Sequence, residues 1–174
     1  MKFVQILGLG IFLCSFSHLL AGGIGIPRKE DVPKYLKQLQ TSTSGAERAK
    51  AAEMLGKRGS INANDVDEAI EPLKAALQKD KDAKVRAAAA RALGNIHPEA
   101  EATVPLLVDR LKNDEIMDVK LATVVALGQF GAEAKEALSP LRELASKFDA
   151  KKSKEGQTIA ATIKLITGAK KKKN

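Results

Sequence analysis

The chain resembles itself at a shift of 34 residues, and no other feature narrows its fold so far. At that shift Ile70, Val104 and Leu138 superpose, and so do Leu73, Leu107 and Leu141. Asp80 falls on Asp114, Val85 on Val119, Arg86 on Lys120, and the pair Leu93-Gly94 on Leu127-Gly128. A shift of 38 carries the pattern upstream, placing Arg48 on Arg86, Ala51-Ala52 on Ala89-Ala90 and Leu55-Gly56 on Leu93-Gly94. The same shift sets Val32, Tyr35 and Leu39 on Ile70, Leu73 and Leu77, with the four extra residues around Ser60 to Asn64. A shift of 36 relates Leu127 and Phe130 to Ile163 and Ile166. Periods of this length mark an array of small units that stack on one another.

Within a unit the apolar spacing is helical. Val104, Leu107 and Leu111 stand at i, i+3 and i+7 and form one stripe. The segment Val85 to Leu93 instead carries alanines at 87, 88, 89, 90 and 92, which let helices approach on more than one side. Aromatic residues make up only 3% of a chain that is 44% apolar, a composition suited to close helices and not to a sheet. The sequence predicts an all-α solenoid of helix-turn-helix units. It divides into a half repeat at 30–42, repeats at 46–80, 82–114 and 117–148, and a closing helix at 153–167, the whole array spanning 24–168. One hairpin cannot bury its stripe, so neighbours must supply the rest of the core. Gly94 and Gly128 are expected to end their helices in a left-handed conformation, and Asp82 or Asp114 to cap the next.

The run Val85-Arg86, then alanines, Ala92-Leu93-Gly94-Asn95-Ile96, Ala102-Thr103-Val104-Pro105 and Leu107 to Asp114 resembles a bacterial HEAT or HEAT-like repeat. The resemblance covers residues 32–167 and departs from the pattern at Glu47, at Ala145 and in a last repeat without the Leu-Gly pair. It implies a superhelix of the armadillo type and a scaffold that binds another protein. HEAT-like repeats also resemble those of bilin lyases and of some DNA glycosylases. Against the first stands a mature chain without cysteine. Against the second stand its three aromatics, Tyr35, Phe130 and Phe148, which leave little to stack on an extruded base.

Residues 1–23 are different in kind. Met1-Lys2 precedes an apolar run from Phe3 to Leu20, and no acidic residue comes before Glu30. This is the pattern of a secretory signal peptide, with Ala21 and Gly23 at positions a peptidase reads. The expectation is a secreted or periplasmic protein; an uncleaved membrane anchor is the alternative, weakened by Gln5, Ser15, Ser17 and His18. The one cysteine, Cys14, lies in this segment, so the mature chain is expected to hold no disulfide and no thiolate metal ligand. The net charge is +8, and four of its positives form the run Lys170 to Lys173 in a basic tail at 169–174. Such a tail attracts anionic surface or nucleic acid through a screened field.

The search for chemistry returns little. His97, just before Pro98, is the single histidine after residue 23, and Ser60, Ser139 and Ser146 lack the context of an activated nucleophile. No catalytic residue, no metal site and no cofactor is assigned, and the chain is expected not to be an enzyme. Asp80, Asp82, Asp114 and Asp118 recur at junctions, but the glycine-bearing calcium loop is absent, and capping explains them. Arg48, Arg86 and Lys120 recur once per unit, either as a binding ladder or, the preferred reading, as hydrogen-bond partners of those aspartates.

Partner binding is expected on the concave side, taken as the surface made by the second helix of each unit. With Ile70, Leu73 and Leu77 buried, 100° per residue turns Ala75 and Lys79 away from the core. The repeat then adds Asp109 and Asn113, Glu143 and Lys147, and Lys34 and Lys37. The expected partner is another protein, held partly by charge. The competing expectation is an anionic-surface or nucleic-acid binder acting through Lys170, Lys171, Lys172 and Lys173, although nucleic acid fits an exported chain poorly.

Overall fold

The computed structural model describes residues 25–168; the expected signal segment 1–23 and the basic tail 169–174 lie outside them. Eight α-helices follow one another among the described residues: α1 Val32–Thr41, α2 Gly45–Gly59, α3 Ile70–Lys79, α4 Ala83–Ile96, α5 Ala100–Asn113, α6 Met117–Phe130, α7 Leu138–Ala145 and α8 Lys154–Thr167. Short 3-10 turns at Ala63–Ala69 and Gly131–Ala137 lead into α3 and α7. None of the described helices is long and apolar enough to cross a membrane.

The helices start where their polar residues can hold free backbone N–H groups. Ser44 accepts from the Glu47 N–H, Asp82 from the Lys84 N–H, and Ser153 from the Gly156 N–H. Asp114 differs from Asp82. It stands two residues ahead of the α6 cap, Ile116, and accepts that residue's N–H at 3.0 Å while both of its oxygens accept from Arg86. It is therefore a loop anchor, not the cap the sequence suggested.

Two layers result. The even helices α2, α4, α6 and α8 pack against one another in succession, whereas α1, α3, α5 and α7 each lie on an even helix and touch one another sparsely. The leucine stripe fills the space between layers: Leu73, Leu77, Leu107 and Leu141 are fully or almost fully buried, together with Leu55, Leu93 and Leu127 from the even helices. Where α7 carries Ala145 in place of a leucine, Leu144 takes the deep position instead. Thr103 stands where its repeat partners are Ala69 and Ala137, and its buried hydroxyl has no hydrogen-bond partner among the described residues.

The alanines explain the even layer. Ala87, Ala88, Ala89, Ala90 and Ala92 are all buried, because α4 meets α2 on one side and α6 on the other. The glycines of the Leu-Gly pairs serve the same end and do not stop the helices. Helix α4 runs two residues past Gly94 and α6 two past Gly128. The positive φ that the sequence placed on these glycines belongs to His97 (55°) and Gly131 (52°). A methyl group on Gly56 would stand 2.7 Å from Ala92 Cα, and one on Gly94 2.8 Å from Ala126 Cα. Glycine is needed there because two backbones nearly touch.

Candidate functional site

The recurring basic residues make a ladder inside the array. Arg48 donates from Nε and Nη2 to the two oxygens of Asp80, both at 2.7 Å, and from Nη1 to the carbonyls of Ser42 and Thr43. Arg86 repeats the arrangement on Asp114 at 2.7 and 3.0 Å and on the carbonyls of Asp80 and Lys81. Planar guanidinium on carboxylate is the strong, two-pronged form of ion pair. Burial pushes the carboxyls of Asp80 and Asp114 up, but the hydrogen bonds from Arg48 and Arg86, with those from the Asp82 and Ile116 N–H groups, outweigh it and hold both below the usual carboxylate range. With its donors consumed by the next repeat, the ladder is structural and offers nothing to a ligand.

The layers decide where a partner could sit. A stack bends toward the layer whose members lie closer together, and glycine–alanine contacts bring the even helices closest. The even helices therefore form the closely packed, inner layer of the stack. Numbered from the alanine-rich helix of each unit, this is the first helix and not the second. The residues expected on the concave side are accordingly on the other layer: Lys34 and Lys37 on α1, Ala75 and Lys79 on α3, Asp109 and Asn113 on α5, Glu143 on α7, and Lys147 in the turn after it. All eight are exposed. Rotation away from the leucine stripe found the exposed side of the odd helices. Asp109 is already occupied there, accepting from Arg110 at 2.8 Å and from Asn113 at 2.7 Å.

The inner face presents a different set. Helix α2 turns Lys50, Glu53 and Lys57 outward, α4 turns out Lys84, Arg91 and Asn95, α6 Val125 and Gln129, and α8 Leu165. Gln129 donates to Asn95 at 2.7 Å, a bond that aligns these rungs across neighbouring helices. Between α2 and α4 the surface dips into an open groove of about 520 Å³, floored by Ala46, Ala49, Ala88 and Ala92 and edged by the four cations. On α6 and α8 the exposed side chains include two large apolar ones, Val125 at 44% and Leu165 at 61%. The signal for these residues was present in the sequence: Lys50 and Lys57, and again Lys84 and Arg91, are seven apart on helices that are otherwise alanine-rich.

His97 sits at the end of α4 with its ring stacked on Phe130 at 4.5 Å and Nε2 3.3 Å from a Glu133 oxygen. No described group of three or more histidine, cysteine or carboxylate side chains is arranged to hold a metal ion.

The family model of HEAT repeats matches residues 32–120 and again 70–154. The chain belongs to the HEAT-repeat family. No curated protein matches it. HEAT repeats commonly serve as protein-interaction scaffolds and are typically non-catalytic.

Proposed function

We propose that this HEAT-repeat chain is a non-catalytic scaffold that holds a partner protein on its inner helix face and works after export from the cytoplasm. The observation that carries the first part is the inner layer itself, where α2 and α4 form a groove edged by cations and α6 and α8 expose Val125 and Leu165. Large apolar side chains left in water beside a concave surface are typical of a docking site. Export rests on the apolar run Phe3 to Leu20 and the small residues after it. The other set, Lys34, Lys37, Ala75, Lys79, Asp109, Asn113, Glu143 and Lys147, mixes signs and lines no such groove among the described residues, so it is the second choice.

The four lysines at 170–173 support one other reading, a chain drawn to anionic surface by its tail. Four forms of the protein separate these ideas in a capture from the cell envelope: wild type, Lys84→Glu with Arg91→Glu, a quadruple change of Lys34, Lys37, Lys79 and Lys147 to Glu, and a truncation after Gly168. The α4 variant is expected to lose the captured protein while the other two variants keep it. Loss through the tail truncation alone would replace the scaffold with the anionic-surface reading. Terminal sequencing of the native protein is expected to find its start between Gly22 and Ile26, and an intact Met1 would remove export.

A further inference from the structure

The geometry points to a partner of particular chemistry: we propose that the groove between α2 and α4 receives an acidic helix with carboxylates seven residues apart. This deepens the inner-face reading and rests on it.

Charge is the first ground. Four cations edge the groove, and its lining holds one carboxylate, Glu53. Glu53 is taken up within α2, with oxygens 2.7 Å from Lys57 Nζ and 3.5 Å from Lys50 Nζ. Lys84 and Arg91 on α4 pair with no described carboxylate, although the ladder arginines close by are fully paired. A positive groove with two uncommitted cations suits a carboxylate-bearing occupant and repels a basic one.

Spacing is the second ground. Gly56 packs on Ala92 and Gly45 on Asp82, so α2 and α4 run side by side in the same direction. Each presents its two cations seven residues apart, which is two turns and about 10.5 Å along the axis. By that register Lys50 stands two to three residues beyond Lys84 along the shared direction and Lys57 two to three beyond Arg91, so the two mixed pairs mark the two ends of the groove. In an extended segment, side chains on one face repeat at about 6.7 Å and again at about 13 Å, and neither matches. In a helix lying along the groove, residues i and i+7 share a face at about 10.5 Å and match both ends. The alanine floor adds depth, since methyl groups at Ala46, Ala49 and Ala88 let a third helix approach closely. Recognition would be the helix-in-groove mode, with anchors read at helical spacing.

The groove suits nucleic acid less well. No aromatic side chain lines it: Phe130 is buried beneath His97, and Tyr35 is on α1. Bases would have nothing to stack on.

The test uses the full chain and two synthetic helical peptides of equal composition and net charge, one with glutamates at i and i+7 on a single face, the other with the same glutamates spread around the helix. Fluorescence anisotropy is expected to show the first peptide binding at least about tenfold more tightly than the second, and Lys84→Glu with Arg91→Glu weakening it by about tenfold or more. Circular dichroism of that variant should match the wild type, because both side chains are exposed. A gentler pair, Lys50→Gln with Lys57→Gln, is expected to weaken the first peptide by a smaller factor. Equal binding of the two peptides, or tighter binding of single-stranded DNA than of either, would overturn the acidic-helix assignment in favour of diffuse polyanion attraction. If neither peptide binds but wild-type protein still captures a partner that the α4 variant loses, the acidic helix is wrong and the inner-face scaffold stands. If the capture is also unchanged in the α4 variant, both fail.

Discussion

The junctions α2–α4 and α4–α6 are sealed in one way and the junction α6–α8 in another. At the first two, glycine lies against an alanine backbone and an arginine grips an aspartate of the next unit. At the third, a methyl group on Gly128 would stand 3.1 Å from Thr162 Oγ1 and 3.4 Å from Leu165 Cδ1, both side-chain atoms. The ladder stops there too. Lys120 takes the arginine position and donates only to the Lys112 carbonyl at 3.1 Å, and the position one repeat beyond Asp114 is Phe148. In place of the ladder, Thr162 donates across the junction to the Val124 carbonyl at 3.3 Å. A helix with neighbours on both sides must be thin on both. Among the described residues α8 meets only one even helix, α6, and is held there by side chains, so the thinness required of α4 on both faces is not required at this junction.

The largest effect should come from cutting a ladder rung. Asp114→Ala leaves the Arg86 guanidinium without its carboxylate and the Ile116 N–H without its acceptor. Breaking a buried pair costs about 3–5 kcal/mol when the orphan stays dry. Arg86 retains 15% exposure and can recruit water, so about 2–3 kcal/mol is expected in a denaturant melt. The rung also titrates. Because the folded state holds Asp80 and Asp114 below the ordinary range, the stability they supply is complete above the unfolded carboxylate value of about 3.9 and drains away as pH falls through the folded values. Wild type should therefore lose stability as pH falls below about 4, and Asp114→Asn should show a shallower loss. Parallel acid slopes for the two proteins would mean that the rung contributes nothing, and the contrast between junctions would rest on the glycines alone.

The glycines test that remaining part. A methyl at Gly94 meets the Ala126 backbone, which can yield only by moving α6, and overpacking of this kind costs about 1–3 kcal/mol. Replacing an interior helical glycine recovers about 1 kcal/mol of propensity. Gly94→Ala should be destabilising by up to about 2 kcal/mol on balance. At Gly128 the obstructing atoms belong to side chains that can shift, so Gly128→Ala should fall within about 0.5 kcal/mol of wild type. Equal losses at the two positions would show that the third junction is as tight as the others.

Much of this array could be read before the structure. The leucine stripe, the all-α class and the ladder follow from spacing, because a helix repeats its face every 3.6 residues and each unit must bury the same side. The Leu-Gly pair misled, since glycine ends helices and also admits close neighbours, and only the contact with Ala92 or Ala126 tells which. Which layer is concave was not legible for a related reason. Rotation from Leu73 and Leu77 fixes which side of α3 is wet, but curvature depends on the spacing between helices of different units, a long-range quantity. Lys84 and Arg91 look like ordinary solvated residues until α2 is placed beside them.

The smallest effect expected is at Lys120, and it sharpens the contrast most directly because its sister residue is Arg86. Lys120 is half-buried, and its ammonium gives up one hydrogen bond to a carbonyl that water can reach. Lys120→Met keeps the apolar stem that packs along α6 and removes only that exposed bond. The loss should be within about 0.5 kcal/mol, the range of surface substitutions. Arg86→Met keeps a similar stem, yet it strands the buried carboxylate of Asp114 and the carbonyls of Asp80 and Lys81, so it should cost about 2–3 kcal/mol. The two variants are best compared in one set of urea melts, where a common slope m would show that the unfolded states are alike. A loss at Lys120 equal to that at Arg86 would mean that the lysine acts as a full rung, and the third junction would then differ from the first two only in its glycine.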